Sequence, residues 1–303
     1  MRRQAVLGVV MVVGVLSIGI AAQRRGGGPP QEQGPRVVEI DKVSDTLYVG
    51  KGGGGNTAIF LTANGTVLVD TKLPGWGQPL LDAVKKVSNR PITMIVNTHT
   101  HGDHVSGQLE MPGNVEVVAH ENTRTNMLKL EEFKKDQRVL PKRTFKDRLT
   151  LGQGNDRIDV YYFGPGHTNG DAWVVFPSQR VVHTGDIFAG KQVPLVDYGN
   201  GGSGAAYADT LTKAYNGITG VETIITGHAP TTLRWADLKE YADFNRDFLT
   251  WVQGQMKAGR SPEQAAAEYK VPERYKGYTA DLPPFFGGMV GYLKSFYGEL
   301  QRR

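Results

Sequence analysis

The sequence predicts an α/β fold made of two βα halves, with helices outside and a helical segment added at the C-terminus. Two observations carry this. Short apolar runs of strand length alternate with stretches whose apolar residues recur at helical spacing, and the alternation occurs twice along the chain.

In the first half, residues 37–40, 46–49, 57–61 and 67–70 read as strands, and Asn64-Gly65 between the last two is a hairpin signal. Leu80, Leu81, Val84 and Val87 share one helical face, and residues 92–96 form a continuous apolar run, so a helix leads into a buried strand. A strand over 115–119 and a helix over 122–135 follow. The second half repeats the style, with strands over 158–163, 172–176 and 181–183, a helix over 205–215 and a strand over 223–226. Beyond it, Trp235, Leu238, Tyr241, Phe244, Phe248, Val252 and Met256 recur at helical spacing, which predicts a helix with one buried face and aromatics that serve as core. Ser261-Pro262-Glu263-Gln264 is a capping box with proline at the first helical position, so another helix starts there. The expected organisation is a signal peptide over 1–22, a linker over 23–36, the main domain over 37–232 and a helical extension over 233–303 packed on it.

With 303 residues, 39% of them apolar, the chain can bury a sizeable core. Its net charge of +5, from 35 basic and 30 acidic residues, is too balanced for the dense basic face that nucleic acid requires; the expected partner is a small-molecule substrate. Arg2 and Arg3 precede an uncharged apolar run that ends in Ile20, Ala21 and Ala22, the pattern of a cleaved secretory signal. The expected location is therefore periplasmic or secreted, without stable membrane insertion after cleavage. An uncleaved anchor is the alternative, since the run is just long enough to span about 30 Å of hydrocarbon. The chain has no cysteine, so any metal must be held by nitrogen and oxygen, which points to zinc, iron or manganese.

Asn97-Thr98-His99-Thr100-His101-Gly102-Asp103-His104 directly follows the buried strand 92–96. In α/β folds the loop leaving the carboxyl end of a central strand is where ligands bind. Three imidazoles and a carboxylate crowded there need a compensating partner when buried, and a metal supplies it. His99 and His101 can point to one side of an extended loop, leaving Asp103 and His104 to face a neighbouring position. Further ligand types end later apolar runs in Gly164-Pro165-Gly166-His167-Thr168, His183-Thr184-Gly185-Asp186 and Thr226-Gly227-His228-Ala229-Pro230. Asp70, at the end of the 67–69 run, is placed to accept from a ligating imidazole. His120 and His183 read as buried, hydrogen-bonded residues. The glycine stretches 50–55 and 199–204 lack the Gly-Lys-Ser/Thr ending of a phosphate loop and read instead as flexible stretches suited to a hinge or lid.

The His-x-His-x-Asp-His segment and the order of the later landmarks resemble the metallo-β-lactamase fold superfamily, over residue 37 to the 230s. That resemblance implies an αββα sandwich. It implies that His99, His101 and His167 bind a first metal, that Asp103, His104 and His228 bind a second, and that Asp186 bridges them. Two zinc ions are the expected cofactor, with Fe2+ or Mn2+ as alternatives. A water shared by two zinc ions has its pKa lowered from about 15.7 toward roughly 7, so the implied activity is attack by hydroxide on a carbonyl ester, thioester, lactam or lactone, with Asp103 orienting it. The commonest β-lactamase subclass places a cysteine at the second metal; its absence here implies weak β-lactamase activity at most. Thr184-Gly185-Asp186 resembles the bridging residue of glyoxalase II, although the basic residues that hold glutathione there have no counterpart. A mononuclear iron sulfur dioxygenase and a non-catalytic periplasmic metal-binding protein are the competing readings.

Overall fold

The structure, a computed structural model, describes residues 36–303, which form one compact unit. The expected signal peptide, and the linker up to residue 35, lie outside the described residues.

The early apolar runs become strands β1 (Glu39–Lys42), β2 (Leu47–Lys51), β3 (Thr57–Thr62) and β4 (Gly65–Val69), paired antiparallel in sequence order. Helix α1 (Gly77–Lys85) then crosses to β5 (Ile92–Val96), which lies parallel to β4. After a short helix α2 (Gly102–Val105), strand β6 (Glu116–His120) adds beside β5. Helices α3 (Glu121–Met127) and α4 (Glu131–Lys135) lead to β7 (Arg143–Phe145), the seventh strand of the first sheet.

The second sheet has six strands: β8 (Arg148–Leu151), β9 (Ile158–Tyr161), β10 (Trp173–Phe176), β11 (Val181–His183), β12 (Thr223–Ile225) and β13 (Leu233–Arg234). Helix α5 (Gly204–Gly217) joins β11 to its parallel neighbour β12. Then come α6 (Trp235–Lys257), α7 (Pro262–Glu268) and α8 (Gly288–Gln301).

Burial explains the layering. Phe60, Val67 and Val96 of the first sheet meet Val160, Val174 and Phe176 of the second in a shared apolar core. The outer face of the first sheet, with Ile59, Leu68 and Ile95, is covered by Leu80, Ala83 and Val84 of α1. The outer face of the second, with Trp173, Val182 and Ile224, is covered by α5, α6 and α8 through Tyr207, Tyr241, Phe244 and Phe296. This is the αββα sandwich, with the C-terminal aromatics in the core.

Three local expectations change. The first strand runs over Glu39–Lys42 rather than 37–40, with Val38 buried just before it. The helix expected over 122–135 is broken into α3 and α4 because Met127 and Phe133 both enter one small apolar cluster. Six positions apart they would point about 120° from each other on one helix, and the break lets both turn inward. Strands β7 and β8, joined by Lys146-Asp147 and carrying Arg143 and Arg148, were hidden by their charges.

Candidate metal centre

Each proposed donor sits where a strand stops. Beyond β5 the chain bends at Thr98 and His99, His101 is extended, and α2 then carries Asp103 and the buried His104. His167 lies in the loop after β9, Asp186 in the turn after β11 and His228 in the loop after β12. Donor atoms of His99, His101, His167 and Asp186 lie within 4.8 Å of one another, and so do those of Asp103, His104 and His228. Asp186 stands between the groups: its Oδ2 is 3.7 Å from His167 Nε2 and 3.2 Å from His228 Nε2, and its Oδ1 is 3.3 Å from His104 Nε2. All seven residues singled out in the sequence are thus brought together.

The hydrogen-bond partners fix which ring nitrogen of each histidine is free. Asp70, fully buried, accepts from His104 Nδ1 at 2.7 Å and from the Thr98 hydroxyl at 2.7 Å. With its proton committed to Asp70, that hydroxyl accepts from His99 Nδ1 at 2.9 Å. His167 Nδ1 donates to the Leu195 carbonyl at 2.6 Å, and His101 Nε2 donates to Asp197 Oδ2 at 2.7 Å. In the neutral form of each of these rings the other nitrogen therefore carries a lone pair, and those four nitrogens face the cluster around Asp186. His167 Nε2 and His101 Nδ1 approach to 3.0 Å, so two lone pairs confront each other unless a proton or a cation lies between them. His99 Nε2 and Asp186 Oδ1 are buried without any hydrogen-bond partner. Two orphaned acceptors and converging lone pairs fit a site for cations.

Electrostatics agree. Burial would raise the carboxyl of Asp103, yet His104 and His228 hold it down at about 2. Burial likewise opposes ionisation of Asp186, and His228 and His104 keep it well below the usual carboxylate range. Against the effect of burial, Asp186 and Asp103 raise His228 to about 9, whereas burial and the neighbouring His101 push His167 down to about 4. The acids are anionic at neutral pH, and a metal would replace the protons that they hold on His104 and His228.

Asp197 is the functional neighbour that sequence reasoning missed. It belongs to an irregular loop, 96 positions from the imidazole it holds, and no local pattern marks it. His120 and His183 are hydrogen-bonded at both ring nitrogens to backbone groups, His120 as the N-cap of α3. The glycine stretch 50–55 is not a loose flap. A Cβ on Gly53 would lie 2.1 Å from the Trp76 ring, one on Gly54 would lie 2.5 Å from the Asp103 carbonyl, and one on Gly55 would lie 2.1 Å from His104. These glycines permit close packing of backbone against the site. In the stretch 199–204, Gly202 does the same at 2.3 Å from the His167 carbonyl.

Comparison with known proteins follows this geometry. Residues 50–237 match the family described as the metallo-beta-lactamase superfamily. The "Metallo-beta-lactamase type 2" of Elizabethkingia meningoseptica is 26% identical over 231 residues, 71% of this chain and 86% of that protein. The "Hydroxyacylglutathione hydrolase" of Gloeothece citriformis is 30% identical over 149 residues, 48% of this chain and 51% of that one. Among solved structures, the sec-alkylsulfatase Pisa1 of a Pseudomonas species has a similar fold, with a TM-score of 0.69 and 17% identity over 86% of this chain and 50% of that one. The chain belongs to the metallo-beta-lactamase superfamily, whose members are generally hydrolases.

Proposed function

We propose that this member of the superfamily is a dinuclear zinc hydrolase that cleaves a carbonyl ester, thioester, lactam or lactone. The observation that carries the reading is the pair of donor groups sharing Asp186, with the free ring nitrogens of four histidines facing the cluster around it. His99, His101 and His167 would hold one ion, Asp103, His104 and His228 the other, and Asp186 both. Bound zinc would supply Lewis acidity and an acidified water at neutral pH.

The chain's own residues account for the rest. Asp103, ionised and with 27% of its side chain exposed, would orient an attacking water by accepting a hydrogen bond from it. His228, 39% exposed, stands 3.3 Å from Asp103, so this side of the site is open to a substrate. His99, His104 and Asp186 are buried beneath. A nucleophilic serine or cysteine is unnecessary.

The test is to purify the chain, count metals, and assay nitrocefin, a lactone, a thioester and an aryl ester together. About two zinc ions per chain with turnover of one of these supports the reading. One iron with oxygen uptake favours the dioxygenase, and full metal without turnover favours a binding protein. The double variant His99→Ala, His101→Ala should lose metal; retention of both ions would refute the ligand assignment. A second reading, hydrolysis of a sulfate ester, is favoured by the length over which the alkylsulfatase fold follows this chain, and an alkyl sulfate belongs in the same panel.

A further inference from the structure

Lys72 has no exposed surface, although a lysine is almost never fully buried without a partner. It sits just beyond β4 in a turn where Asp70 and Lys72 both adopt positive φ, +65° and +91°, and non-glycine residues hold such conformations only when their surroundings impose them. What imposes them is visible. Thr71 N donates to the His104 carbonyl at 2.6 Å, Gly107 N donates to the Lys72 carbonyl at 2.9 Å, and Leu73 N donates to the Gly53 carbonyl at 2.9 Å. The turn is tied on one side to the segment carrying Asp103 and His104, and on the other to the glycine loop. The Lys72 ammonium completes the tie by accepting nothing and donating twice, to the carbonyls of Gly50 at 2.7 Å and Gly55 at 2.5 Å, the two ends of that loop.

The loop in turn contacts Asp103 and His104, and Asn56 beyond it holds the backbone on both sides of His228. Gly55 N donates to the Asp103 carbonyl at 3.1 Å, and Gly55 packs so close to the His104 ring that an added Cβ would lie 2.1 Å from it. Asn56 donates from its amide to the Thr226 and Ala229 carbonyls, at 3.0 and 2.9 Å, and from its backbone to Gly227, which brackets His228. No apolar side chain could replace the ammonium without leaving two inward carbonyls unpaired.

We propose that Lys72 is a positioning residue whose buried ammonium clamps the glycine loop against Asp103, His104 and the His228 loop, and so preforms the second metal-binding group before any metal arrives. The clamp rests on the two-metal reading above. It acts on one group only: His99, His101 and His167 are oriented by Thr98, Asp197 and Leu195, none of which Lys72 touches.

The experiment compares metal-stripped wild type with Lys72→Met, titrated with Co2+ against a chelator and followed by the visible bands of each bound ion. The wild type should bind two ions. Lys72→Met should bind the first with wild-type affinity and the second about 10- to 100-fold more weakly, the usual effect of losing an outer partner. Two wild-type affinities in the variant would overturn the clamp, and so would equal weakening of both, which marks a general loss of stability. A wild type that binds fewer than two ions would instead overturn the two-metal reading. Should Lys72→Met fail to fold, hydrogen exchange of the wild type decides: the amides of Gly55 and Leu73 should be as protected in the stripped protein as in the loaded one. Fast exchange of both in the stripped protein would show that metal, and not Lys72, orders the loop.

Discussion

Replacing Asp197 tests how far the first donor group depends on a residue that binds no metal itself. Its carboxylate accepts from His101 Nε2 at 2.7 Å, with both side chains only 24% exposed. That hydrogen bond keeps the proton on Nε2 and the lone pair on Nδ1, facing His167. Losing such a partner typically costs 10- to 100-fold in metal affinity, or about 1.4–2.7 kcal/mol. Asp197→Ala should therefore weaken the first ion by that factor. The same carboxylate anchors Asn200 through its backbone and side-chain nitrogens, at 3.1 and 2.6 Å, so loop disorder could mimic the effect. Asn200→Ala is the control: it removes the side-chain anchor and leaves the bond to His101. Competition with a chromophoric chelator reads both. If Asp197→Ala binds its first ion as tightly as wild type while keeping its circular dichroism, or if Asn200→Ala loses as much, orientation of His101 by Asp197 is refuted.

Thr98→Val keeps the shape of the side chain and removes the relay between Asp70 and His99, so the first ion should bind roughly tenfold more weakly, with a change in Tm too small to explain it. Gly55→Ala would place a methyl 2.1 Å from the His104 ring, and thermal melting should show a loss of about 1–3 kcal/mol together with weaker binding of the second ion; an unchanged Tm would mean the contact can relax. His228, raised to about 9, keeps its proton at neutral pH in the metal-free chain, and a metal must displace it. His104, also held protonated by Asp186 and Asp103, must lose a proton too, so the affinity of the second group should rise by about tenfold or more per pH unit between 7 and 9, and calorimetry in buffers of different ionisation enthalpy should detect the released protons. An affinity independent of pH between 7 and 9 would contradict this.

What could be read in the sequence was local. Four donor-type residues within six positions after a continuous apolar strand need no knowledge of the fold, and the later donors stand out because each ends another apolar run. The pairing of β7 with β6 could not be read that way, because its three residues carry an arginine and only one buried side chain. Asp197 and Lys72 were equally silent. One acts across 96 positions, and the other looks like an ordinary polar residue following a strand until its ammonium is found beneath a loop 17 to 22 positions earlier.

The glycines show why this matters for reading such a site. Gly54, Gly55 and Gly227 suggest mobility, yet a Cβ on them would approach Asp103, His104 and Asp186 to 2.5, 2.1 and 1.8 Å. Glycine serves here as the absence of a side chain, letting backbone pack closely around the donors. The outcome is asymmetric. His99, His104 and Asp186 are enclosed by strand ends and glycine backbone, while Asp103 and His228 keep part of their surface in solvent. On the proposed reading a substrate would approach over Asp103 and His228, with His101, 24% exposed, beside them, and the placement of the first two depends on the glycine loop and on the lysine beneath it. Chemistry and access meet on the second donor group, and for that reason the residues that shape its walls, more than the ligands themselves, should decide which bond is cut.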